Sequence, residues 1–201
     1  MHTMEVSQLK IIVINGAPGV GKDLFVKFAQ ENFDDVYNIS TVDYVKLIAS
    51  QTGWNGIKDE KGRKYLSDLK DVMTEYDDIP FKKVVEKMNT ILYRYSQWDI
   101  PTDNLFFFIH CREPEEIQKW VDRYNAKTLL IRRPAVEVAH DNHADSNVFD
   151  FSYDFCYYNI YGKDKMEIDV VGMMEMWRGM DWKCGGEGLN IWDYAVERSI
   201  I

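Results

Sequence analysis

The chain has few cysteines and an excess of acidic residues over basic ones. Its 201 residues include three cysteines, Cys111, Cys156 and Cys184, which are too few for a disulfide framework and lack the paired spacing of a zinc site. Lysine and arginine total 24 against 33 aspartates and glutamates, which gives a formal net charge of -9. We therefore expect no duplex nucleic acid as a partner, because its binding needs clustered positive charge.

Long apolar runs are missing as well. No run approaches the roughly 18 apolar residues that cross a bilayer, and the first residues lack a basic stretch followed by an apolar core. We expect no membrane partner and a cytoplasmic location. His110, His140 and His143 offer too few ligands in register for a histidine metal site. The oligomeric state is left open.

The remaining pattern alternates strands with helices. Apolar runs rich in β-branched and aromatic residues predict strands over 9–15, 36–39, 104–110, 127–131 and 153–160. Helical spacing predicts helices over 23–33, 42–51, 60–76, 81–97, 114–124, 163–177 and 189–198. This alternation predicts one α/β domain over 1–201, with a parallel sheet covered by helices on both faces and a helical insert over about 41–99.

A phosphate-binding motif lies between the first strand and the first helix. It consists of Gly16, Ala17, Pro18, Gly19, Val20, Gly21, Lys22 and Asp23, and it matches the pattern G-x-x-x-x-G-K. Glycines let successive amides turn toward a phosphate, the lysine adds charge, and the helix start adds unsatisfied amides. The segment therefore predicts binding of the phosphates of ATP. A glycine-rich turn that binds nothing is the alternative, and the flanking strand and helix disfavour it.

Asp23 stands where this motif usually has Ser or Thr. A carboxylate there could hold Mg²⁺ directly or through water, because this ion prefers oxygen ligands. The same side chain could instead cap the first helical turn.

A phosphate loop that ends in Gly-Lys-Asp resembles two sets of small kinases, the bacteriophage-type deoxynucleoside monophosphate kinases and the animal-type phosphomevalonate kinases. The segment 107–112 with Glu115 and Glu116 resembles their strand that ends in Asp-x-Arg, although His110 stands where they have the aspartate. Segments 129–134 and 141–143 resemble their arginine-containing lid, 153–159 their last strand, and 63–69 their acceptor-facing helix. The resemblance implies a P-loop kinase fold of five parallel strands, an acceptor-binding insert and a lid over about 132–150.

Cations around the loop are the candidate catalytic groups. Lys22 is expected to contact the β- and γ-phosphates, and Arg132 and Arg133 could clamp the transferred phosphoryl group. That arginine pair could equally form a solvated surface turn. Arg112 follows a predicted buried strand, at the end where α/β sheets bind ligands, or it pairs with a nearby glutamate.

The candidates on the acceptor side lie in the insert. Asp43 could orient an acceptor, with helix capping as the alternative. Arg63 and Lys64 enter through the resemblance as ligands of the acceptor phosphate, and a solvated helix face is their other interpretation. Tyr44 and Trp54 could stack on a base or belong to the core.

Three functions follow from these observations. The first is a kinase that transfers phosphate from ATP, with Mg²⁺, to a nucleoside or deoxynucleoside monophosphate. The second is a kinase for another small phosphorylated acceptor, such as a phosphomevalonate-like compound. The third is a nucleotide-binding sensor without turnover, which the histidine at position 110 suggests.

Overall fold

The computed structural model describes residues 9–137, 147–180 and Trp182. Internal contacts divide the chain into two units. Within the described residues, the sheet unit comprises 9–38 and everything from Pro101 onward, and the helical unit comprises 39–100. The expected final helix over 189–198, the segment 141–143 and Cys184 lie outside the described residues.

The sheet has five strands, as the sequence predicted. They are β1 (Lys10–Asn15), β2 (Val36–Ser40), β3 (Phe106–His110), β4 (Lys127–Arg132) and β5 (Phe155–Tyr158). The spatial order is β2-β3-β1-β4-β5, and the strands run parallel. The central strand β1 is buried along its whole length, because helices cover both faces of such a sheet.

Seven helices accompany the sheet in the described part of the chain. They are α1 (Lys22–Asn32), α2 (Asp43–Gln51), α3 (Glu60–Asp77), α4 (Ile79–Gln97), α5 (Pro114–Tyr124), α6 (Pro134–Glu137) and α7 (Lys163–Gly179), with a short 3-10 helix at Asn147–Phe149. In these described segments, no helix is long and apolar enough to cross a membrane. The helix–strand order and the five parallel strands confirm the predicted α/β class.

The core of the sheet unit explains the position of α1. One face of the sheet packs against α1 and α7 through a cluster of fully buried side chains that includes Phe25, Phe108 and Trp177. The ring of Phe25 lies 6.2 Å from that of Phe108 and 6.4 Å from that of Trp177. Burial of one such aromatic contributes about 1.5–3 kcal/mol. The other face packs against α5, where Trp120 is fully buried.

The helical unit is built on α4. The seven buried positions of α4 are Pro80, Phe81, Val84, Val85, Met88, Ile91 and Leu92. The helices α2, α3 and α4 all contact one another. The backbone of Asp78 is left-handed, with φ 49°, and this residue both ends α3 and begins α4. The predicted helical insert is therefore helical, and its role in acceptor binding stays a prediction.

Candidate phosphate-binding site

The loop between β1 and α1 requires glycine at two positions. Gly16 has φ 146° and Gly21 has φ 108°, values that residues with a Cβ rarely adopt. A Cβ on Gly16 would lie 2.3 Å from the carbonyl oxygen of Ile131, and one on Gly21 would lie 2.8 Å from Nδ2 of Asn159. Neighbouring strands therefore leave no room for side chains, and the loop backbone itself forms the surface of the site.

The start of α1 is the candidate source of the anion-binding groups. The first intrahelical bond runs from the Phe25 amide to the Gly21 carbonyl at 2.9 Å. Gly21 is the N-cap residue and makes no side-chain cap, and the amides at a helix start can donate to an anion. Lys22 Nζ donates to the carbonyls of Gly16 at 2.5 Å and Ala17 at 2.9 Å. Its charge is thereby held beside the loop, where a phosphate would meet it.

Asp23 extends from the first turn of α1 into solvent. Its side chain is 96% exposed, and Oδ1 lies 3.9 Å from Nδ1 of His110, whose side chain is 14% exposed. A protonated imidazole at His110 would therefore compete with a cation for this carboxylate. Within the described residues, no three His, Cys, Asp or Glu side chains converge on a common metal position. The residues present fit Mg²⁺ held by one carboxylate, nucleotide phosphates and water, which is a usual coordination for this ion.

Two buried asparagines support the loop, and sequence reasoning gave neither a role. The side-chain Nδ2 of Asn159 donates to the Val20 carbonyl at 2.8 Å, and the backbone N–H of Asn159 donates to the Arg132 carbonyl at 2.8 Å. Asn15, which is fully buried, precedes the loop directly. Their signal in the sequence is an asparagine at the end of an otherwise apolar strand, where a buried amide needs partners.

The three predicted arginines lie in different surroundings. Arg112 is exposed two residues after β3, and Arg133 is exposed directly before α6. Arg132 ends β4, and its guanidinium lies over two aromatic rings, 4.9 Å from the centroid of Phe149 and 5.6 Å from that of Tyr158. These cation–π contacts hold the Arg132 head group against the sheet unit. The clamping role of Arg132 and Arg133 and the catalytic role of Arg112 stay predictions.

In the helical unit, Asp43 lines a cleft. The cleft has a volume of about 240 Å³ and is lined by Ile39, Ser40, Asp43, Tyr44, Leu47, Pro80, Lys83, Val84 and Lys87. Asp43 Oδ2 accepts from the Ser40 amide at 3.1 Å and lies 4.0 Å from Lys87 Nζ.

Three of the other acceptor-side candidates, Trp54, Arg63 and Lys64, do not line that cleft. Arg63 and Lys64 lie on α3, and Lys64 forms an exposed ion pair with Asp68 at 2.8 Å. The indole nitrogen of Trp54 donates to the Ile57 carbonyl at 3.1 Å. Tyr44 does line the cleft, and Lys83 Nζ lies 5.1 Å from the centroid of its ring. The structure thus brings Asp43 and Tyr44 together and leaves Arg63 and Lys64 apart from them.

Comparison with known proteins gives similarity at the level of solved structures. No protein-family model and no curated protein sequence matches the chain. The dephospho-CoA kinase of Campylobacter jejuni matches at 15% identity and a TM-score of 0.41, over 84% of this chain and 97% of that one. The shikimate kinase of Bacteroides thetaiotaomicron matches at 13% identity and a TM-score of 0.37, over 84% of this chain and 97% of that one. A sugar kinase from a Janibacter species matches at 10% identity and a TM-score of 0.40, over 84% of this chain and 94% of that one.

Proposed function

We propose that this protein is an ATP-dependent phosphotransferase that uses Mg²⁺ and phosphorylates a small phosphorylated acceptor, with nucleoside and deoxynucleoside monophosphates as the first acceptors to test. One observation carries the proposal. The loop over 16–23 connects a buried parallel strand to a helix start without a side-chain cap, and Lys22 lies on the loop. This arrangement can bind the terminal phosphates of a nucleotide with amides and one cation.

The residues around the loop suggest a division of labour. Lys22 would release the loop carbonyls and bind the β- and γ-phosphates, while Asp23 would hold Mg²⁺ directly or through water. Arg112, Arg132 and Arg133 are proposed to neutralise charge on the transferred group. Phosphoryl transfer depends mainly on such positioning and charge stabilisation, so no covalent intermediate on the protein is required.

The cleft in the helical unit favours a second acceptor class. Four of its nine lining residues have aliphatic side chains, namely Ile39, Leu47, Pro80 and Val84. Its nine lining residues include no Asn or Gln, the side chains that read both donors and acceptors of a base. An acceptor with an aliphatic body and anionic ends would match these walls and the two lysines at the edge.

A screen of acceptors by ADP release tests the proposal. Wild-type protein is incubated with ATP, Mg²⁺ and either a panel of nucleoside monophosphates or a panel of aliphatic phosphates, phosphomevalonate among them. Release of ADP with one panel and not the other identifies the acceptor class. Binding of ATP without ADP release from any acceptor would support the sensor alternative and contradict the kinase proposal.

Two lysine variants test whether the cleft holds the acceptor. Lys83→Ala removes a cation that lines the cleft, and Lys27→Ala removes an ion-paired lysine on α1 that does not line it. If the acceptor binds in the cleft, Lys83→Ala should raise the KM for the acceptor several-fold while the KM for ATP stays unchanged. If both variants change the KM for the acceptor equally, the cleft is not the acceptor site.

A further inference from the structure

Asn15 forms a buried hydrogen-bond network at the base of the phosphate loop. Its Oδ1 accepts from the Gly16 amide at 2.8 Å. Its Nδ2 donates to the Arg112 carbonyl at 3.1 Å and to the Tyr153 hydroxyl at 2.8 Å. The Tyr153 hydroxyl in turn donates to the Val148 carbonyl at 2.8 Å. One side chain thus joins the first residue of the loop to the second residue after β3 and to the segment before β5.

The orientation of the Asn15 amide is fixed by its partners. Nδ2 has two hydrogens and faces two acceptors, and Oδ1 faces an N–H donor. A flipped amide would place oxygen against the Arg112 carbonyl and NH₂ against the Gly16 amide, and both contacts would be repulsive. Because Asn15 is fully buried, water cannot replace a lost partner. The network therefore has one satisfied arrangement.

Tyr153 decides how firmly Asn15 is held. Its hydroxyl accepts a hydrogen bond from Asn15 and donates one to the Val148 carbonyl. The hydroxyl must therefore stay protonated for both bonds to form. Burial, the largest cause, raises the pKa of Tyr153 to about 12, and the nearby Cys111 acts in the same direction. The hydroxyl is therefore neutral over the whole physiological range.

We infer that Asn15 and Tyr153 are positioning residues, which hold the first residue of the phosphate loop and the backbone of Arg112 in one register for nucleotide binding. The inference rests on the proposed function, since it concerns the donor side of that site. Gly16 begins the proposed nucleotide loop, and Arg112 is one of the arginines proposed to neutralise charge on the transferred group. A single amide bonded to both sets the distance between the two groups before a nucleotide arrives.

The chain offers a matched control for the test. Tyr157 is a second partly buried tyrosine, its hydroxyl donates to Asp169 Oδ2 at 3.3 Å, and its pKa is also raised to about 12, mainly by burial. Neither Tyr157 nor Asp169 touches the Asn15 network. Tyr153→Phe and Tyr157→Phe therefore remove the same hydroxyl from the same part of the chain, and only the first removes a bond to Asn15.

The measurement is the Kd of ATP by calorimetry, with the urea midpoint of each variant measured alongside. Tyr153→Phe should weaken ATP binding about threefold to tenfold, the equivalent of one lost hydrogen bond. Tyr157→Phe should leave the Kd unchanged at a similar loss of stability. Equal Kd values for the two variants would overturn the inference, whereas a wild-type protein that does not bind ATP would overturn the proposed function as well.

A second variant guards against a purely structural effect. Asn15→Leu removes all three hydrogen bonds of the Asn15 side chain and leaves the bond from Tyr153 to Val148. If Tyr153 acts through Asn15, Tyr153→Phe should weaken ATP binding no further in that background. A full additional loss in the double variant would show that Tyr153 acts without Asn15 and would contradict the inference. If Asn15→Leu does not fold, the comparison of Tyr153→Phe with Tyr157→Phe decides the question.

Discussion

Gly21→Ala tests whether the loop conformation depends on a neighbouring strand. The φ of Gly21 is 108°, and a residue with a Cβ pays about 1–2 kcal/mol in the left-handed region. The new Cβ would also lie 2.8 Å from Asn159 Nδ2, so that amide must move away from the Val20 carbonyl. Loss of this buried hydrogen bond costs about 1–3 kcal/mol more. The expected total is a loss of about 2–5 kcal/mol in the free energy of unfolding.

Urea unfolding followed by tryptophan fluorescence measures this loss, and ATP titration measures its effect on the loop. Gly172→Ala in α7 is the matched control, because no atom lies within 4 Å of its added Cβ. That substitution should raise stability by about 0.5–1 kcal/mol, since alanine is the better helix former.

A double variant separates the two contributions to the cost of Gly21→Ala. In an Asn159→Ala background the clash is absent, so Gly21→Ala should cost only the backbone part, about 1–2 kcal/mol. If Gly21→Ala is as stable as the wild type and binds ATP equally well, the geometry described for the loop is wrong.

Three further outcomes are expected. Lys22→Ala should abolish ADP release while the urea midpoint changes little. As the control, Lys27→Ala on the exposed side of α1 should retain activity. Full activity of Lys22→Ala would contradict the proposed nucleotide site. Asp23→Asn should raise the Mg²⁺ concentration needed for half-maximal activity, and an unchanged metal titration would reduce Asp23 to a structural role. The pKa of Tyr153 is higher in the native state than its ordinary value, so the stability that its protonated form provides is present below about pH 10 and lost between about pH 10 and 12. Tyr153→Phe should make alkaline unfolding less steep in that range, and an identical profile would contradict the buried environment of Tyr153.

Local patterns in the sequence determined most of the fold. β1 and β3 are continuous apolar runs, which identifies strands buried on both faces, and the amphipathic spacing of α4 places its apolar residues on one side. The motif over 16–23 determined where the phosphate loop lies, because its glycines and lysine are adjacent in the chain. Periodicity and motif spacing are properties of neighbouring residues, so one sequence suffices to detect them.

Only the tertiary structure decided which distant residues support the site. Asn15 meets Tyr153, and Asn159 meets the loop at Val20, across separations of 138 and 139 residues. Asp23 of α1 and His110 at the end of β3 come within 3.9 Å although they are far apart in the sequence. These contacts depend on strand order and register, which bring the ends of β1, β3 and β5 into one region of the sheet. Local preferences of the chain do not specify that order, because each strand would be equally well buried beside a different neighbour.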